Sequence, residues 1–371
     1  MDADVIVVGG GPGGSSAAFF LTRKGFSVLV LERSALPRYK ACAGCVPAGG
    51  MELFPFSFTP VIEQHITRAT FTYGQAAVTH QVPGNSLFTV RRDRFDWFLL
   101  QNSGAWIEPR TEVIRVEPDQ KGLTVHCRDG RRFRAGYVIG ADGPNSRVAA
   151  SLNLRRGRRL GSALQYEIQA DDRHLTLFRQ RLVAGFGVLN QGYYWIFPKK
   201  DHLSIGIGNM HKGGAGLDAT LRRIIEGFGL DLDHARRFGH TLPVHVRQEP
   251  LHSGNCLLVG DAAGLVDPLT GEGIRQAMES GRLAAEAISR GTIEGYSEAV
   301  SQHIGKDIRL GRRLADVFYA RQRLCFDWLV RHRRIFRSMT RILSNRTTYG
   351  KTIAALPLLG LDFWNRQPLD S

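Results

Sequence analysis

A glycine-rich segment near the start of the chain constrains the fold more than any other feature. The apolar run at 5–8 leads into a glycine turn, an Ala-rich stretch of helical character follows, and a second apolar run covers 28–31. Gly9, Gly11 and Gly14 stand in GxGxxG spacing within this turn. A strand, a turn of this spacing, a helix and a second, parallel strand are typical of a dinucleotide-binding unit.

Each part of this unit has a physical role. Gly9 permits the tight turn, Gly11 lets the backbone approach a pyrophosphate, and Gly14 lets the helix pack against the strand. The N-terminus of the helix presents free N–H groups and the positive end of the helix dipole to phosphates. Glu32 is placed to accept hydrogen bonds from a ribose. A glycine turn without a ligand is the alternative, but the two strands and the acid favour a dinucleotide site.

The length and composition indicate a globular protein with more than one structural unit. With 371 residues, the chain exceeds the usual size of one domain, so two domains, or one domain with an insertion, are expected. Its hydrophobic content of 43% supports a sizeable core. No apolar run is long enough to cross a bilayer, and the first strand begins so close to Met1 that a cleaved signal peptide is not expected.

The cysteine content and the net charge indicate in which compartment the protein is located and what class of partner it binds. The five cysteines stand at irregular spacing, which argues against a disulfide framework and fits a reducing compartment. We therefore expect a cytoplasmic protein, or one bound peripherally to the cytoplasmic face of a membrane. The net charge of +15 favours an anionic partner, such as membrane lipid, nucleic acid or a phosphorylated substrate.

A loop of small residues and prolines follows the second strand and contains Cys42-x-x-Cys45. No second CxxC or paired histidine motif completes a zinc site, so no metal is expected. A redox-active dithiol is a second interpretation, although the motif lacks a thioredoxin-like context. We favour a third interpretation, in which the loop packs closely over a ligand.

The rest of the chain alternates between two kinds of sheet. Segments at 66–90 and 160–248 contain the period-two alternation of antiparallel strands. Residues 111–140 form a predicted β-meander whose last strand is apolar, and a further short apolar strand lies at 256–259. This order predicts an antiparallel sheet inserted between the parts of a nucleotide-binding domain.

Two of the apolar strands end in carboxylates. Asp142 follows the first and Asp261 the second, each beside a glycine. In open α/β sheets, ligands bind at the carboxyl ends of the strands, where these side chains are predicted to lie. The loop 270–273 then opens a helix whose dipole can stabilise negative charge. The alternative interpretation is that these segments are turns without a ligand. A second binding site in addition to the glycine turn would, however, suit an extended cofactor.

A basic, amphipathic segment covers 303–346, where arginines interleave with aliphatic and aromatic residues. Such a segment can lie on an anionic membrane with its apolar side down. Equally, it can form helices that pack on the core and expose an arginine face. Nucleic acid is not an expected partner, because no recognised binding module carries these charges.

Three separated segments together resemble the FAD-dependent enzymes of the p-hydroxybenzoate hydroxylase fold. They are 9–32, 140–146 and 260–273. The resemblance implies an α/β fold with a three-layer, Rossmann-like FAD-binding domain (parallel sheet with β-meander), an inserted antiparallel-sheet substrate domain and C-terminal helices. The expected regions are 1–65, 91–155 and 249–295 for FAD, 66–90 and 156–248 for the substrate, and 296–371 for basic helices.

The same resemblance implies an FAD site. Asp261 is expected to contact the ribityl and phosphate region, and the helix start at Gly273 to face the flavin pyrimidine. Arg92 resembles an arginine that lines the site, and Val113 resembles a residue beside the adenine. The expected FAD-binding residues are Gly9, Gly11, Pro12, Gly13, Gly14, Glu32, Arg33, Ala43, Gly44, Arg92, Val113, Asp142, Asp261, Gly271, Gly273 and Ile274.

Two further segments resemble the geranylgeranyl reductase family, which saturates isoprenoid C=C bonds. Residues 40–44 are similar to that family's Lys-x-Cys-Gly-Gly loop, and 193–198 to its Tyr-x-Trp-x-Phe-Pro strand. Ala43 and Cys45 depart from the family pattern, which has Gly at the first position and usually Gly or Ala at the second. The resemblance implies an FAD-dependent oxidoreductase that reduces C=C bonds of a geranylgeranyl-type lipid by hydride transfer from reduced flavin.

The resemblance also implies roles for individual residues. Cys42 is the candidate for positioning or proton delivery beside the flavin. Tyr193 and Trp195 are expected to take part at the reacting end of an isoprenoid tunnel, with Phe197 in its wall and Gly206 permitting close backbone approach. Because the sequence contains no second GxGxxG, we expect the electron donor to be transiently bound NADPH or a reduced ferredoxin-like protein.

Two other functions fit the sequence. A FAD-dependent monooxygenase of the same fold would act on an apolar substrate and consume oxygen. An electron-relay flavoprotein on a membrane would cycle electrons without changing a lipid. A halogenase is less favoured, because the Trp-x-Trp-x-Ile-Pro strand of those enzymes does not occur.

Overall fold

The computed structural model describes residues 1–120, 122–154, 157, 160–210, 214–243, 249–343 and 346–360. The strands are β1 (Ala3–Val8), β2 (Val28–Leu31), β3 (Cys45–Pro47), β4 (Ile62–His65), β5 (Arg68–Tyr73), β6 (Ala76–Gln81), β7 (Leu87–Val90), β8 (Trp106–Glu108), β9 (Val113–Asp119), β10 (Gly122–Cys127), β11 (Arg132–Gly140), β12 (Leu160–Gln169), β13 (Arg181–Phe186), β14 (Gly192–Pro198), β15 (His202–Asn209), β16 (Arg236–Pro243), β17 (His252–Ser253) and β18 (Cys256–Leu258). The α-helices are α1 (Pro12–Thr22), α2 (Ala48–Met51), α3 (Arg92–Gln101), α4 (Arg147–Ser151), α5 (Asp172–Phe178), α6 (Leu217–Gly227), α7 (Ile274–Arg290), α8 (Tyr296–Val300), α9 (Lys306–Ala320), α10 (Gln322–Arg331), α11 (Arg333–Leu343) and α12 (Tyr349–Gly360).

A mainly parallel sheet forms the first layer of the fold. Its strand order is β17-β18-β11-β1-β2-β8, and the neighbours from β18 to β8 run parallel. Strands β1 and β2 are apolar and almost fully buried, as expected for parallel strands that are covered on both faces. Strands β10 and β9 belong to the same eight-stranded sheet: the first half of β11 pairs antiparallel with β10, and β10 pairs antiparallel with β9. Helices, parallel sheet and meander form the three predicted layers.

Helices α1 and α7 pack against each other at unusually short range. A Cβ on Gly281 would overlap the carbonyl oxygen of Gly13, and a Cβ on Gly13 would lie 3.3 Å from the carbonyl oxygen of Ala277. The hydroxyl of Ser16 donates to the carbonyl of Met278 at 2.7 Å. These contacts join the N-terminal halves of both helices, and the N-terminal residues Pro12, Gly13 and Ile274 line one cavity.

A seven-stranded sheet forms the second unit. Its order is β16-β12-β15-β14-β13-β5-β6, and all neighbours are antiparallel except β13 and β5. The apolar side of α6 packs on this sheet through Leu221 and Ile225. A separate three-stranded sheet, β3-β7-β4, lies between the two large ones in the chain order. The predicted fold class is therefore confirmed, with the antiparallel sheet inserted between parts of the parallel one.

The region predicted as the substrate domain is split between two sheets. Strands β5 and β6 join the seven-stranded sheet, whereas β7 pairs with β3 and β4. The boundaries of the expected domains remain predictions. The expected C-terminal region includes 361–371, and the expected substrate domain includes 244–248; both stretches lie outside the described residues.

The C-terminal helices cover the seven-stranded sheet. Phe318 and Tyr319 of α9 and Phe326 of α10 are buried in one apolar cluster with Phe71 and Phe186 of the sheet. The rings of Phe186 and Phe318 lie 4.9 Å apart. One side of the basic segment thus packs on the core. In the part of the chain that the structure describes, no helix is both long and apolar enough to span a membrane.

Candidate active site

One cavity of about 900 Å³ lies between the parallel sheet, the seven-stranded sheet and the C-terminal helices. Its volume is at the upper end of the roughly 300–1,000 Å³ typical of ligand sites. The predicted residues in its wall are Gly9, Gly11, Pro12, Gly13, Glu32, Arg33, Cys42, Ala43, Gly44, Arg92, Val113, Asp142, Tyr193, Trp195, Phe197, Asp261, Gly271, Gly273 and Ile274. The structure thus brings segments from the whole chain to one place.

Two predicted residues, Gly14 and Gly206, lie outside the cavity wall. A Cβ on Gly14 would overlap the carbonyl oxygen of Gly9, which is the close helix–strand packing expected of this position. Gly206 pairs with Trp195 across β14 and β15, and a Cβ there would overlap the indole ring. Gly206 therefore makes room for Trp195, while its neighbour Gly208 lines the cavity.

The dinucleotide end of the cavity is built by the β1–α1 turn. Gly9 has φ +105°, a left-handed conformation that favours glycine. Gly11 has an extended backbone, with φ −81° and ψ −178°, and faces the cavity. Glu32 is buried at the end of β2, where its carboxylate accepts hydrogen bonds from the N–H groups of Gly10 and Ser34, each at 3.0 Å. The carboxylate keeps acceptor capacity for a ribose.

Arg38 stands beside this cradle, although the sequence prediction did not include it. Its Nε lies 3.2 Å from Glu32 Oε2, and its Nη1 lies 3.3 Å from Asp96 Oδ2. A Cβ on Gly11 would lie 3.4 Å from Nη2 of Arg38. A guanidinium at this place suits a phosphate, which it can bind through two N–H groups. A single arginine in a loop carries no spacing signal, so sequence patterns alone do not reveal it.

Two helix N-termini open into the cavity. The cap residues Gly11 of α1 and Gly273 of α7 make no side-chain cap hydrogen bond. In the first turn of α1, backbone N–H groups therefore remain available to anionic or carbonyl oxygen atoms. In the first turn of α7, Glu272 Oε1 accepts a hydrogen bond from the Arg275 N–H at 2.8 Å, so that this group is already satisfied. Asp142 lies nearby, and its Oδ2 accepts from the N–H groups of Arg147 and Val148. Its Oδ1 is buried without a hydrogen-bond partner among the described residues, and burial raises the pKa of this carboxyl.

Asp261 is a predicted site residue, but the cationic side chains that lie beside it are not. Its Oδ2 lies 3.1 Å from Lys40 Nζ, and 4.0 Å from His240 Nε2. Burial alone would raise the pKa of Asp261, but the nearby Lys40 and His240 outweigh burial and hold this pKa well below its usual range. Burial lowers the pKa of His240. His240 lies on β16, in a segment without any motif, which explains why sequence reasoning missed it.

The loop with the two cysteines crosses the middle of the cavity. Cys42 Sγ accepts a hydrogen bond from the Gly44 N–H at 3.3 Å, and the guanidinium of Arg92 interacts with the same thiol. Both Cys42 and Cys45 are free thiols. Burial raises the pKa of Cys45 to about 12, so that thiol is neutral at physiological pH. No group of three or more metal-binding side chains occurs among the residues that the structure describes.

The other end of the cavity is apolar. Tyr193, Trp195 and Phe197 alternate along β14 and face the cavity together. The hydroxyl of Tyr193 donates to the carbonyl of Thr270, and burial raises the pKa of this tyrosine. Further apolar side chains complete this lobe: Phe71, Leu87, Leu182, Ala184, Phe186, Met210, Leu242, Leu269 and Phe318. The aromatic strand thus forms a wall of the cavity's apolar lobe and is not only filler of a closed core.

A hydrogen-bonded network connects the cavity wall to solvent. Tyr39 donates to Glu167 Oε1 at 2.9 Å, and Gln165 donates to both residues. His202 Nε2 lies 3.1 Å from Glu167 Oε2, and His202 Nδ1 lies 2.6 Å from Asp201 Oδ1. Burial would lower the pKa of His202, but the two carboxylates outweigh burial and raise it. None of these residues was predicted, since they lie apart in the sequence.

Comparison with known proteins agrees with this geometry. A family profile described as FAD binding domain matches residues 2–191. The chain is 32% identical to digeranylgeranylglycerophospholipid reductase 2 of Methanothermobacter thermautotrophicus, over 83% of this chain and 86% of the relative. It is 29% identical to menaquinone reductase of Mycolicibacterium smegmatis, over 84% of each chain. The chain belongs to the geranylgeranyl reductase family of FAD-dependent oxidoreductases.

A solved structure supports the same fold. The geranylgeranyl bacteriochlorophyll reductase-like protein of Thermoplasma acidophilum matches with a TM-score of 0.79 and 24% identity. The match covers 96% of this chain and 99% of that chain. This chain therefore shares the fold of that protein over nearly its whole length.

The residues at the polar end fit FAD. The N-terminus of α1 and Arg38 suit a pyrophosphate, and the start of α7 suits a carbonyl-bearing ring. The open space at Gly11 permits close approach. Glu32 suits a ribose, and the unpartnered Oδ1 of Asp142 suits the hydroxyl groups of a ribityl chain. These donors and acceptors match the parts of FAD in kind.

Replacing Gly11 by Val should weaken FAD binding without harming the fold. The extended backbone at this position accepts a β-branched residue, whereas the side chain would fill the cradle beside Arg38. We expect the Kd for FAD to rise about tenfold or more, which corresponds to a loss of about 1.4 kcal/mol of binding free energy. The melting temperature of the apo-protein should stay the same. Flavin fluorescence titration and thermal denaturation measure the two quantities.

The matched control is Gly227→Val on α6, where a Cβ meets no heavy atom within 4 Å. This control should bind FAD as the unchanged protein does. Unaltered FAD affinity in Gly11→Val would show that the cradle does not hold the cofactor.

The stability of the apo-protein should depend on pH through His202. Because its folded-state pKa is raised, the stabilisation is complete below about pH 6.5 and is lost as the pH rises through the higher folded-state value. We expect His202→Gln to remove this part of the fall in melting temperature above neutral pH. The control is His234→Gln at an exposed histidine, and this variant should retain the full fall in melting temperature above neutral pH. Identical pH profiles for both variants would contradict the assignment.

Proposed function

We propose that this protein reduces C=C bonds of a geranylgeranyl-type isoprenoid lipid with FAD as its cofactor. The observation that carries the proposal is the shape of one cavity. A dinucleotide cradle and an apolar lobe open into each other, and the Cys42 loop lies where they meet. An isoprenoid chain is long, apolar and free of hydrogen-bonding groups, so it suits the aromatic and aliphatic walls of this lobe.

FAD, when bound and reduced, supplies hydride at N5. The side chains of this protein would provide the rest of what an unactivated alkene requires. Tyr193, Trp195 and Phe197 exclude water from the reacting carbons and orient the chain. Cys42, with its thiol on the cavity wall, is the proposed proton donor or positioning group. The N-terminus of α7 would stabilise negative charge on the pyrimidine part of the bound flavin.

The names of the relatives support the class of substrate. One relative is a digeranylgeranylglycerophospholipid reductase and another a menaquinone reductase. Their substrates have different headgroups, but both contain polyisoprenoid chains. The polyisoprenoid chain is therefore the part common to both substrates, and it is the part that the apolar lobe of this protein fits. We propose NADPH or a reduced ferredoxin-like protein as the source of electrons.

We further propose that the outer side of α9 and α10 contacts an anionic membrane. Val317 and Leu324 are 64% and 62% exposed, and Trp328 is 38% exposed. Leu324 and Trp328 lie one turn apart on α10 and so share a face. Exposed Arg313 and Arg321 provide positive charge beside them. The inner side of the same helices closes the apolar lobe through Phe318, so a lipid chain would pass a short distance from bilayer to cavity.

An anaerobic assay tests the reductase function. We expect the dithionite-reduced holoprotein to transfer two hydrogens to each C=C bond of a geranylgeranyl lipid while the flavin reoxidises, as followed by absorbance and mass spectrometry. Changing Cys42 to Ala should lower turnover about a hundredfold or more and leave FAD bound, because a positioned acid contributes about that factor. Cys325→Ala on α10 is the control.

Two outcomes would contradict the proposal. If the flavin stays reduced until oxygen is admitted and an oxygenated product then forms, the protein is a monooxygenase. If the flavin passes electrons to an acceptor and the lipid mass never changes, it is an electron relay. Unchanged turnover in Cys42→Ala would remove the catalytic role of that residue only.

Membrane contact is tested by sedimentation with vesicles. We expect binding to vesicles of phosphatidylcholine with phosphatidylglycerol, and much weaker binding to phosphatidylcholine alone. The double variant Val317→Asp, Leu324→Asp should lose most of this binding because the apolar contact and part of the charge attraction are removed. Trp106, 69% exposed at the far edge of the parallel sheet, gives the control Trp106→Asp. Equal binding by both variants would contradict the proposed surface.

A further inference from the structure

The turn between β14 and β15 contains a buried lysine that the proposed chemistry does not use. Lys199 is 2% exposed, whereas its neighbour Lys200 is exposed. The N–H of Lys199 donates to the carbonyl of His202 at 2.8 Å and closes the turn. Burying an ammonium group is costly unless strong acceptors surround it, so such a residue is expected to have specific partners.

The partners of Lys199 are backbone carbonyls of two other segments. Its Nζ donates to the carbonyl of Ala43 at 2.6 Å and to the carbonyl of Val90 at 3.0 Å. Ala43 follows Cys42 in the chain, and Val90 is the last residue of β7. The ammonium therefore connects the aromatic strand, the cysteine loop and the three-stranded sheet.

The conformation around Cys42 depends on the same contacts. Gly44 has φ +66°, and a Cβ there would overlap the carbonyl oxygen of Val90 and lie 3.0 Å from Lys199 Nζ. The carbonyl of Gly44 accepts from the N–H of Val90 at 2.8 Å, and its own N–H donates to Cys42 Sγ. The cysteine turn is thus fixed between a strand end on one side and the lysine ammonium on the other.

We propose that Lys199 is a positioning residue that holds the Cys42 thiol at the boundary between the cofactor and lipid lobes. The inference rests on the proposed function for its catalytic consequence, but its structural part does not. A lysine suits this task because its long stem reaches across from β14 and its cationic head makes charge-assisted hydrogen bonds to two carbonyls at once. Burial lowers the pKa of the Lys199 ammonium, and the nearby carboxylates of Glu167 and Glu63 oppose this shift.

The structural part is tested on the apo-protein by amide hydrogen exchange. Changing Lys199 to Met keeps the stem and removes the donors, so we expect the amides of 42–46 and of Val90 to exchange about tenfold faster or more. Lys200→Met is the matched control and should leave these amides unchanged. Lys199→Gln retains a shorter donor and serves if the Met variant does not fold. Unchanged protection in a folded Lys199 variant would overturn the proposal.

The catalytic part is tested by a double-mutant cycle in the anaerobic lipid assay. If Lys199 acts through Cys42, Lys199→Met should lower kcat about tenfold or more in the unchanged protein and less than about twofold in the Cys42→Ala background. FAD affinity should stay the same in both. An equal loss in the two backgrounds would show a merely structural role and overturn the proposal.

The two parts fail separately. If the unchanged protein does not reduce lipid at all, the proposed function is wrong, and hydrogen exchange still decides whether Lys199 holds the cysteine turn.

Discussion

The close approach of α1 and α7 is the constraint on which the site depends. Gly281 allows the two backbones to come so near, because a Cβ there would overlap the carbonyl oxygen of Gly13, and the N-terminal residues of both helices line one cavity. Each N-terminus has roughly half a positive charge, so two of them side by side repel each other unless negative charge lies between them. Glu32, Asp142 and Asp261 reduce this repulsion in the protein alone. A cofactor with phosphates and a polarised ring would reduce it further, which is why this packing favours an anionic dinucleotide.

Paired charges anchor the loop that passes between the two lobes. Arg38 binds Glu32 and Asp96, Lys40 binds Asp261, and Lys199 binds the carbonyl of Ala43. Isolated charges would be costly at these partly or fully buried positions. Paired and hydrogen-bonded charges are tolerated there, and they fix the orientation of the side chains that carry them. The loop is consequently fixed by polar contacts along its length, at Arg38, Lys40 and Ala43. Its Cys42 thiol lies in the cavity wall.

The sequence predicts the parts of the site that depend on local backbone requirements. Gly9, Gly11 and Gly14 stand at fixed spacing because a turn and a helix start impose that spacing, and Tyr193, Trp195 and Phe197 alternate because a strand does. Arg38, His240 and Lys199 could not be predicted in this way. Each reaches the site from a segment whose position is set by tertiary packing, and a lone cation has no local pattern. Gly206 shows the converse case, since its small size was predicted to serve the substrate but accommodates the Trp195 ring.

The departures from the family pattern at Ala43 and Cys45 are explained by the same geometry. A positive φ occurs at Gly44 and not at Ala43, so the fourth residue of the Lys-x-Cys-Gly-Gly pattern tolerates a side chain while the fifth does not. Lys199 binds the carbonyl of Ala43, a group that every residue has. Cys45 begins β3 with its side chain in the apolar lobe, where the neutral thiol behaves as a small hydrophobic group. The substitutions therefore leave the backbone of the loop and its hydrogen bond to Lys199 intact.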